Sequence, residues 1–134
     1  MICLDSWAVL RFLEGVEPAA TYLEDVFDQK PVMSWINLGE VYYVVRREHR
    51  ELDASETIRD LHPFVTPDLP NARRVLEAAE IKAKYRLSYA DAFAAATAVA
   101  HQAVLLTGDP ELLIADAPWK SQDLRALTSG RAGP

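Results

Sequence analysis

The chain has 134 residues, 50% hydrophobic and 25% charged, with a formal net charge of −6. That is enough for one folded domain with a single core, and the acidic balance excludes nucleic-acid binding through bulk charge. A single cysteine, Cys3, excludes an internal disulfide and a multi-cysteine metal centre. No apolar run spans a bilayer, and Asp5 interrupts the N-terminal one before a signal-peptide core forms. A cytoplasmic protein with no membrane partner is expected.

In chain order, Ile2–Leu4 reads as a short buried strand, with Cys3 an inert core thiol. Trp7, Leu10, Phe12 and Leu13 have helical spacing, and Gly15 is a stop signal. Pro18 opens a second helix whose stripe is Ala19, Leu23, Val26 and Phe27. Pro31–Met33 is a second strand, and Ser34 caps a long helix from Trp35 to about Arg50. A helix over Ala54–Leu61, a strand at Phe64–Thr66, a turn between Pro67 and Pro70, and a helix over Ala72–Tyr85 follow. Ser88 starts an alanine-rich helix, Tyr89–His101, and Ala103–Thr107 is the clearest buried strand. Gly108-Asp109-Pro110 leads into a short helix, Glu111–Ala115, and Pro118–Asp123 reads as an edge strand. Residues 1–127 form the expected domain, and 128–134 a fraying Gly/Pro tail. Strands alternating with helices predict an α/β fold with a mostly parallel sheet, whose carboxyl edge gathers functional groups.

Four acids carry the chemistry. Asp5 and Asp109 each follow a strand and precede a helical segment, so either one serves as a helix cap or as a ligand. Asp91 has capping-box spacing from Ser88, but its helical neighbours Ala94, Ala95 and Ala98 place it at the margin of the core. Glu40 lies mid-helix, beside Ile36, Tyr43 and Val44, where capping is impossible. It must be paired, with Arg46 or Arg47 as candidates, protonated, or bound to a cation. Four carboxylates brought together repel one another unless a divalent ion neutralises them. An all-oxygen set without a His/Cys cluster suits Mg²⁺ or Mn²⁺ rather than zinc, and His49, His62 and His101 are scattered.

The sequence resembles the PIN-domain family, specifically its small stand-alone VapC-type toxins. The matching pieces are Asp5-Ser6 with Leu10 and Leu13, Ser34 followed by Glu40, Tyr89-Ala90-Asp91-Ala92 with Ala95-Ala96, and Leu105-Leu106-Thr107-Gly108-Asp109. The resemblance implies a three-layer α/β/α fold and a Mg²⁺-dependent endoribonuclease (Mn²⁺ as substitute), usually a homodimer inhibited by a cognate antitoxin. It assigns Asp5, Glu40, Asp91 and Asp109 as catalytic metal ligands, with Thr107 and Ser6 in support. Arg46 and Arg47 are candidate RNA contacts, with Arg50, Arg73, Arg74, Lys82, Lys84 and Arg86 as further basic residues. Trp35, Tyr42 and Tyr43 are candidates for a dimer face. Asp116 is a conceivable extra acid, but Asp116-Ala117-Pro118 reads better as a surface turn.

Rival readings are a phospho-receiver domain using Asp68, an inactive binding module of the same fold, and a related nuclease acting on DNA or housekeeping RNA. The receiver reading lacks paired acids after the first strand, where Ser6-Trp7 stands, and leaves Glu40 unexplained.

Overall fold

The computed structural model describes residues 1–126; residue 127 and the expected tail at 128–134 lie outside the described residues. Five strands, β1 (Ile2–Leu4), β2 (Val32–Ser34), β3 (Thr66–Asp68), β4 (Val104–Thr107) and β5 (Lys120–Asp123), form one sheet in the order β3-β2-β1-β4-β5. All four pairings are parallel. The helices are α1 (Ser6–Glu14), α2 (Ala19–Val26), α3 (Trp35–Glu48), α4 (Glu51–Leu61), α5 (Ala72–Lys84) and α6 (Tyr89–Ala100).

Alternation along the strands divides the core in two, because successive side chains leave opposite faces of a sheet. Leu4, Met33 and Leu106 point to one side and pack with Val9, Leu23, Leu38 and Val41 from α1, α2 and α3. Cys3 and Leu105 point to the other and pack with Ala78 of α5 and the alanines of α6. The result is the expected three-layer α/β/α arrangement. In α6 every residue from Asp91 to Ala98 is buried, and small side chains let the helix lie close on the sheet. Cys3 is fully buried, which pushes its thiol pKa up and keeps the group inert.

The helix boundaries follow local chemistry. Asp5 caps α1 through Ala8 N–H, and Gly15 ends it in the left-handed region with φ 70°, donating to the Arg11 and Phe12 carbonyls. Ser34 Oγ accepts from Ile36 N–H at 3.1 Å to start α3. α4 begins three residues earlier than expected, because the Asp53 carboxylate reaches back to accept Arg50 N–H at 3.0 Å.

Two expectations need correction. The third strand is Thr66–Asp68 rather than Phe64–Thr66, and Phe64 falls in a 3-10 turn. Thr66 fixes this register by donating its N–H to Pro31 O at 2.8 Å and its hydroxyl to Lys30 O at 2.9 Å. Pro67 is tolerated there because β3 is an edge strand, where a missing N–H faces no neighbour. The helix expected at Glu111–Ala115 is instead a series of turns. Trp119 Nε1 captures the Leu112 carbonyl at 2.9 Å, removing an acceptor that a continuing helix would use. The edge strand after it forms as β5, starting at Lys120.

The strand order places the site. The chain moves outward from β1 through β2 to β3, then crosses to the opposite side for β4 and β5. The carboxyl edge between β1 and β4 is therefore a topological switch point, where connections diverge and leave a crevice. Asp5 follows β1, and Thr107 ends β4.

Candidate active site

Asp5 is 1% exposed, and both its oxygens are held. Oδ1 accepts from Ala8 N–H at 2.9 Å, and Oδ2 accepts a short bond from the Thr107 hydroxyl. Thr107 Oγ1 in turn accepts Asp109 N–H at 3.0 Å, so one buried hydroxyl ties the first strand's acid to the last strand's loop. Asp5 thus fills the capping role and faces the crevice at once. Asp109 Oδ1 accepts Glu111 N–H at 3.0 Å, a tight local turn that fixes its orientation.

Glu40 pairs with no arginine among the described residues. Its Oε1 accepts from Ser6 Oγ at 2.6 Å and from Asn37 Nδ2 at 3.2 Å. Arg46 instead reaches His49 O at 3.4 Å, and Arg47 lies over the Tyr43 ring at 5.3 Å. Both are exposed, about 10 Å along α3 from Glu40 at 1.5 Å per residue.

Asp91 keeps only half of the expected capping box. Ser88 Oγ accepts Asp91 N–H at 3.1 Å, but the Asp91 carboxylate does not reach back to Ser88 N–H among the described residues. It is 7% exposed and faces other acids. Burial first, then the adjoining Asp109 carboxyl, with Asp5 and Glu40 adding, push its pKa up to about 8. Burial likewise pushes Asp5 up to about 7; the Thr107 and Ala8 hydrogen bonds oppose the rise, and Asp109 and Glu40 add to it.

The four acids and both supporting hydroxyls therefore gather at one crevice, while Arg46 and Arg47 stand apart from it. Two residues absent from the sequence reading also belong there. Asn37 is fully buried, donates to Glu40 and to Ala90 O at 3.1 Å, and leaves its Oδ1 without a partner. Its signal was legible, since an amide three residues before Glu40 shares that helix face. Glu111 carries a carboxylate oxygen within 4.8 Å of those of Asp91 and Asp109. Asp116 sits on an exposed turn, as expected.

This donor set fits a divalent ion. The neighbouring carboxylates add to the rise that burial gives Asp5 and Asp91, no Lys or Arg ion pair joins the cluster among the described residues, and the ligand atoms are all oxygens. Asp68, the rival phosphoacceptor, is occupied elsewhere: it binds Arg74 at 2.7 Å and His101 at 2.6 Å. Burial alone would raise its pKa, but these two partners hold it below the usual carboxylate range.

The loop between Thr107 and Asp109 is set by Gly108. A Cβ there would come within 2.3 Å of Trp7 Cη2 and Cζ2, in the body of a rigid ring. Gly108→Ala is expected to cost about 1–3 kcal/mol through this overlap and to lower activity by displacing Asp109. Chemical denaturation beside a cleavage assay checks both effects; an unchanged midpoint contradicts the overlap.

The sequence matches the PIN domain family over residues 2–118. The chain belongs to the PIN domain family, whose members are nucleases. No curated relative matches it in sequence. Among solved structures it is similar to VapBC2 from Rickettsia felis bound to a promoter DNA fragment: 17% identity, 92% of this chain and 98% of that one covered, TM-score 0.73. VapBC-1 from nontypeable Haemophilus influenzae is 20% identical, with 93% and 99% covered and a TM-score of 0.73. FitAcB from Neisseria gonorrhoeae is 20% identical, with 95% and 100% covered and a TM-score of 0.65. These likenesses establish the fold. Family membership sets aside the phospho-receiver reading.

Proposed function

We propose that the protein is a Mg²⁺-dependent endoribonuclease, and the toxin of a toxin–antitoxin pair. The observation that carries the nuclease reading is the convergence of Asp5, Glu40, Asp91 and Asp109 on one crevice with no ion-pair partner among the described residues. When bound, Mg²⁺ or Mn²⁺ activates water and stabilises the charge that develops in phosphodiester hydrolysis. The chain's own residues prepare that site. Thr107 and Ala8 N–H fix Asp5, Ser6 and Asn37 fix Glu40, and the Asp109 turn sets the rim. The buried acids exclude an RNA phosphate until a cation lowers their charge, which reconciles an acidic chain with an anionic substrate.

Basic groups near the crevice supply backbone contacts. Arg11 lies 5.1 Å over the Trp7 ring, whose edge touches Gly108, and Arg125 is within electrostatic reach of Asp109. Arg46 and Arg47 would meet RNA farther along α3.

The toxin role is supported by the toxin–antitoxin complexes among the structural neighbours. A groove of about 440 Å³ between α1, α2 and α4 suits an antitoxin helix. Phe12, Phe27, Leu61 and Phe64 line it, and the exposed acids Glu24, Asp28 and Asp60 favour basic flanks on the partner. We place the protein in the cytoplasm, as a homodimer; no helix among the described residues is long and apolar enough to cross a membrane.

The test is cleavage of a panel of RNAs and DNAs with Mg²⁺ or chelator, with Asp5→Ala in parallel. RNA cleavage lost with chelator and in Asp5→Ala is expected. Activity that survives both sinks the reading, and preference for DNA redirects it. Growth arrest on expression, relieved by a co-expressed antitoxin, tests the toxin role.

A further inference from the structure

Asn37 uses only half of its polar side chain. It is fully buried on α3, and its Nδ2 donates to Glu40 Oε1 at 3.2 Å and to Ala90 O at 3.1 Å on α6. Both of those neighbours are acceptors, so they fix which way the amide faces. The carbonyl end takes the other side, where Oδ1 is the buried side-chain atom left without a partner among the described residues. A buried acceptor without a donor destabilises a fold. An apolar side chain would avoid that loss, and Leu38 and Val41 on the same helix are fully buried.

The placement of the amide shows what is gained in return. Ser6 Oγ donates to the same Glu40 oxygen at 2.6 Å, so a chain of hydrogen bonds runs Ser6–Glu40–Asn37–Ala90 through α1, α3 and α6. α1 opens at Asp5, α3 carries Glu40, and α6 carries Asp91 one residue after Ala90. Asn37 is the link in that chain between the Glu40 wall of the crevice and the Asp91 wall. Walls that each bear a carboxylate repel one another, and a donor tied to both resists their separation. A cationic side chain in this place would compete with a divalent ion, whereas a neutral amide donates to both walls and leaves their charge intact.

We propose that Asn37 is a positioning residue, whose amide holds Glu40 at a fixed separation from the Asp91 end of α6. The inference rests on the metal-dependent reading above and adds a residue that itself binds no ion. The unpaired carbonyl is the structural cost of a side chain chosen for its two donor hydrogens.

The probe is Mn²⁺ alone, titrated calorimetrically and by electron paramagnetic resonance into the purified full chain without RNA, with melting temperatures recorded in chelator. Asn37→Leu keeps the branched shape and removes both the donors and the unpaired carbonyl; Asn37→Ala removes the bulk as well. Leu38→Ala is the control, an adjacent cavity in the core formed with Leu4 and Met33, away from the amide. Each Asn37 variant is expected to bind Mn²⁺ at least about tenfold more weakly than the parent, with an altered resonance spectrum of the bound ion. Leu38→Ala is expected to melt at a lower temperature yet bind Mn²⁺ within about twofold of the parent. If both Asn37 variants bind like the parent, Asn37 does not position the site and the nuclease reading stands. Weakening by Leu38→Ala equal to that of the Asn37 variants also overturns the proposal, because it reveals general loosening of the fold. If Asn37→Leu fails to fold, Asn37→Ala against Leu38→Ala makes the same comparison. A parent that binds no Mn²⁺ overturns the metal-dependent reading and this proposal with it.

Discussion

Replacing Asp91 by Asn is expected to lower RNA cleavage by at least about 10²- to 10³-fold while leaving the ion-free protein as stable as the parent, or more stable, at pH 8. Those outcomes separate a functional carboxylate from a structural one. A structural acid loses its hydrogen bonds when neutralised, and the fold weakens with it. The Asp91 carboxyl is hydrogen-bonded to the Asp109 carboxyl and to no cationic or backbone donor among the described residues, so once ionised its charge contributes repulsion from Asp109, Asp5 and Glu40 and little support. Asn keeps the shape, removes the charge and can donate to Asp109. Initial rates at saturating Mg²⁺ and melting temperatures in chelator measure the two effects. Cleavage within tenfold of the parent, or a marked fall in melting temperature, contradicts the assignment.

Stability without metal is expected to fall as pH rises from about 5 to about 8, the reverse of the usual carboxylate pattern. An unfolded carboxyl has lost its proton above about pH 4. Folded Asp5 and Asp91 keep theirs up to about 7 and about 8. Across that window the folded state binds more protons than the unfolded one, so raising pH favours unfolding by about 1.4 kcal/mol per pH unit for each such proton. That stabilisation is fully present below the unfolded value of about 4, already falling by pH 5, and lost once pH passes both folded values. A divalent cation supplies the positive charge that the protons supplied, so Mg²⁺ should raise the melting temperature more at pH 8 than at pH 6. Thermal melts in chelator and in Mg²⁺ across this range check it. A flat or rising profile in chelator shows that the acids are neutralised in some other way.

Much of this was written in the sequence, unevenly. Strand-to-acid junctions at Leu4-Asp5 and Thr107-Gly108-Asp109 are local, so pattern and motif order locate them. Glu40 was legible by elimination, since a mid-helix glutamate on an apolar stripe has no cap to serve. The Ser6 and Asn37 partners that replaced the arginine alternative differ in kind. Asn37 is local to the helix, whereas Ser6 is 34 residues away and only tertiary packing brings it to Glu40. Glu111 was hidden by an expected helix beginning at that residue. The Trp119 indole that takes the Leu112 carbonyl lies seven residues on and is invisible to helical periodicity. Pro67 misled in the same way: proline argues against a strand until the position proves to be an edge. The Arg74–Asp68–His101 network required the fold itself, since His101 meets Asp68 across 33 residues.

The hydroxyl of Thr107 holds a carboxylate 102 residues earlier in the chain. β1 gains its β4 neighbour only through the register Ile2↔Val104, Cys3↔Leu105 and Leu4↔Leu106. During synthesis, at about 5–20 residues per second, Asp5 emerges well ahead of Thr107, 102 residues later in the chain, and waits for that stretch before Asp109 can stand beside it. Until then the crevice has one wall. On the proposed ribonuclease reading, a ribosome making this protein, itself built on RNA, works beside a nascent chain that is not able to cut until β4 has docked.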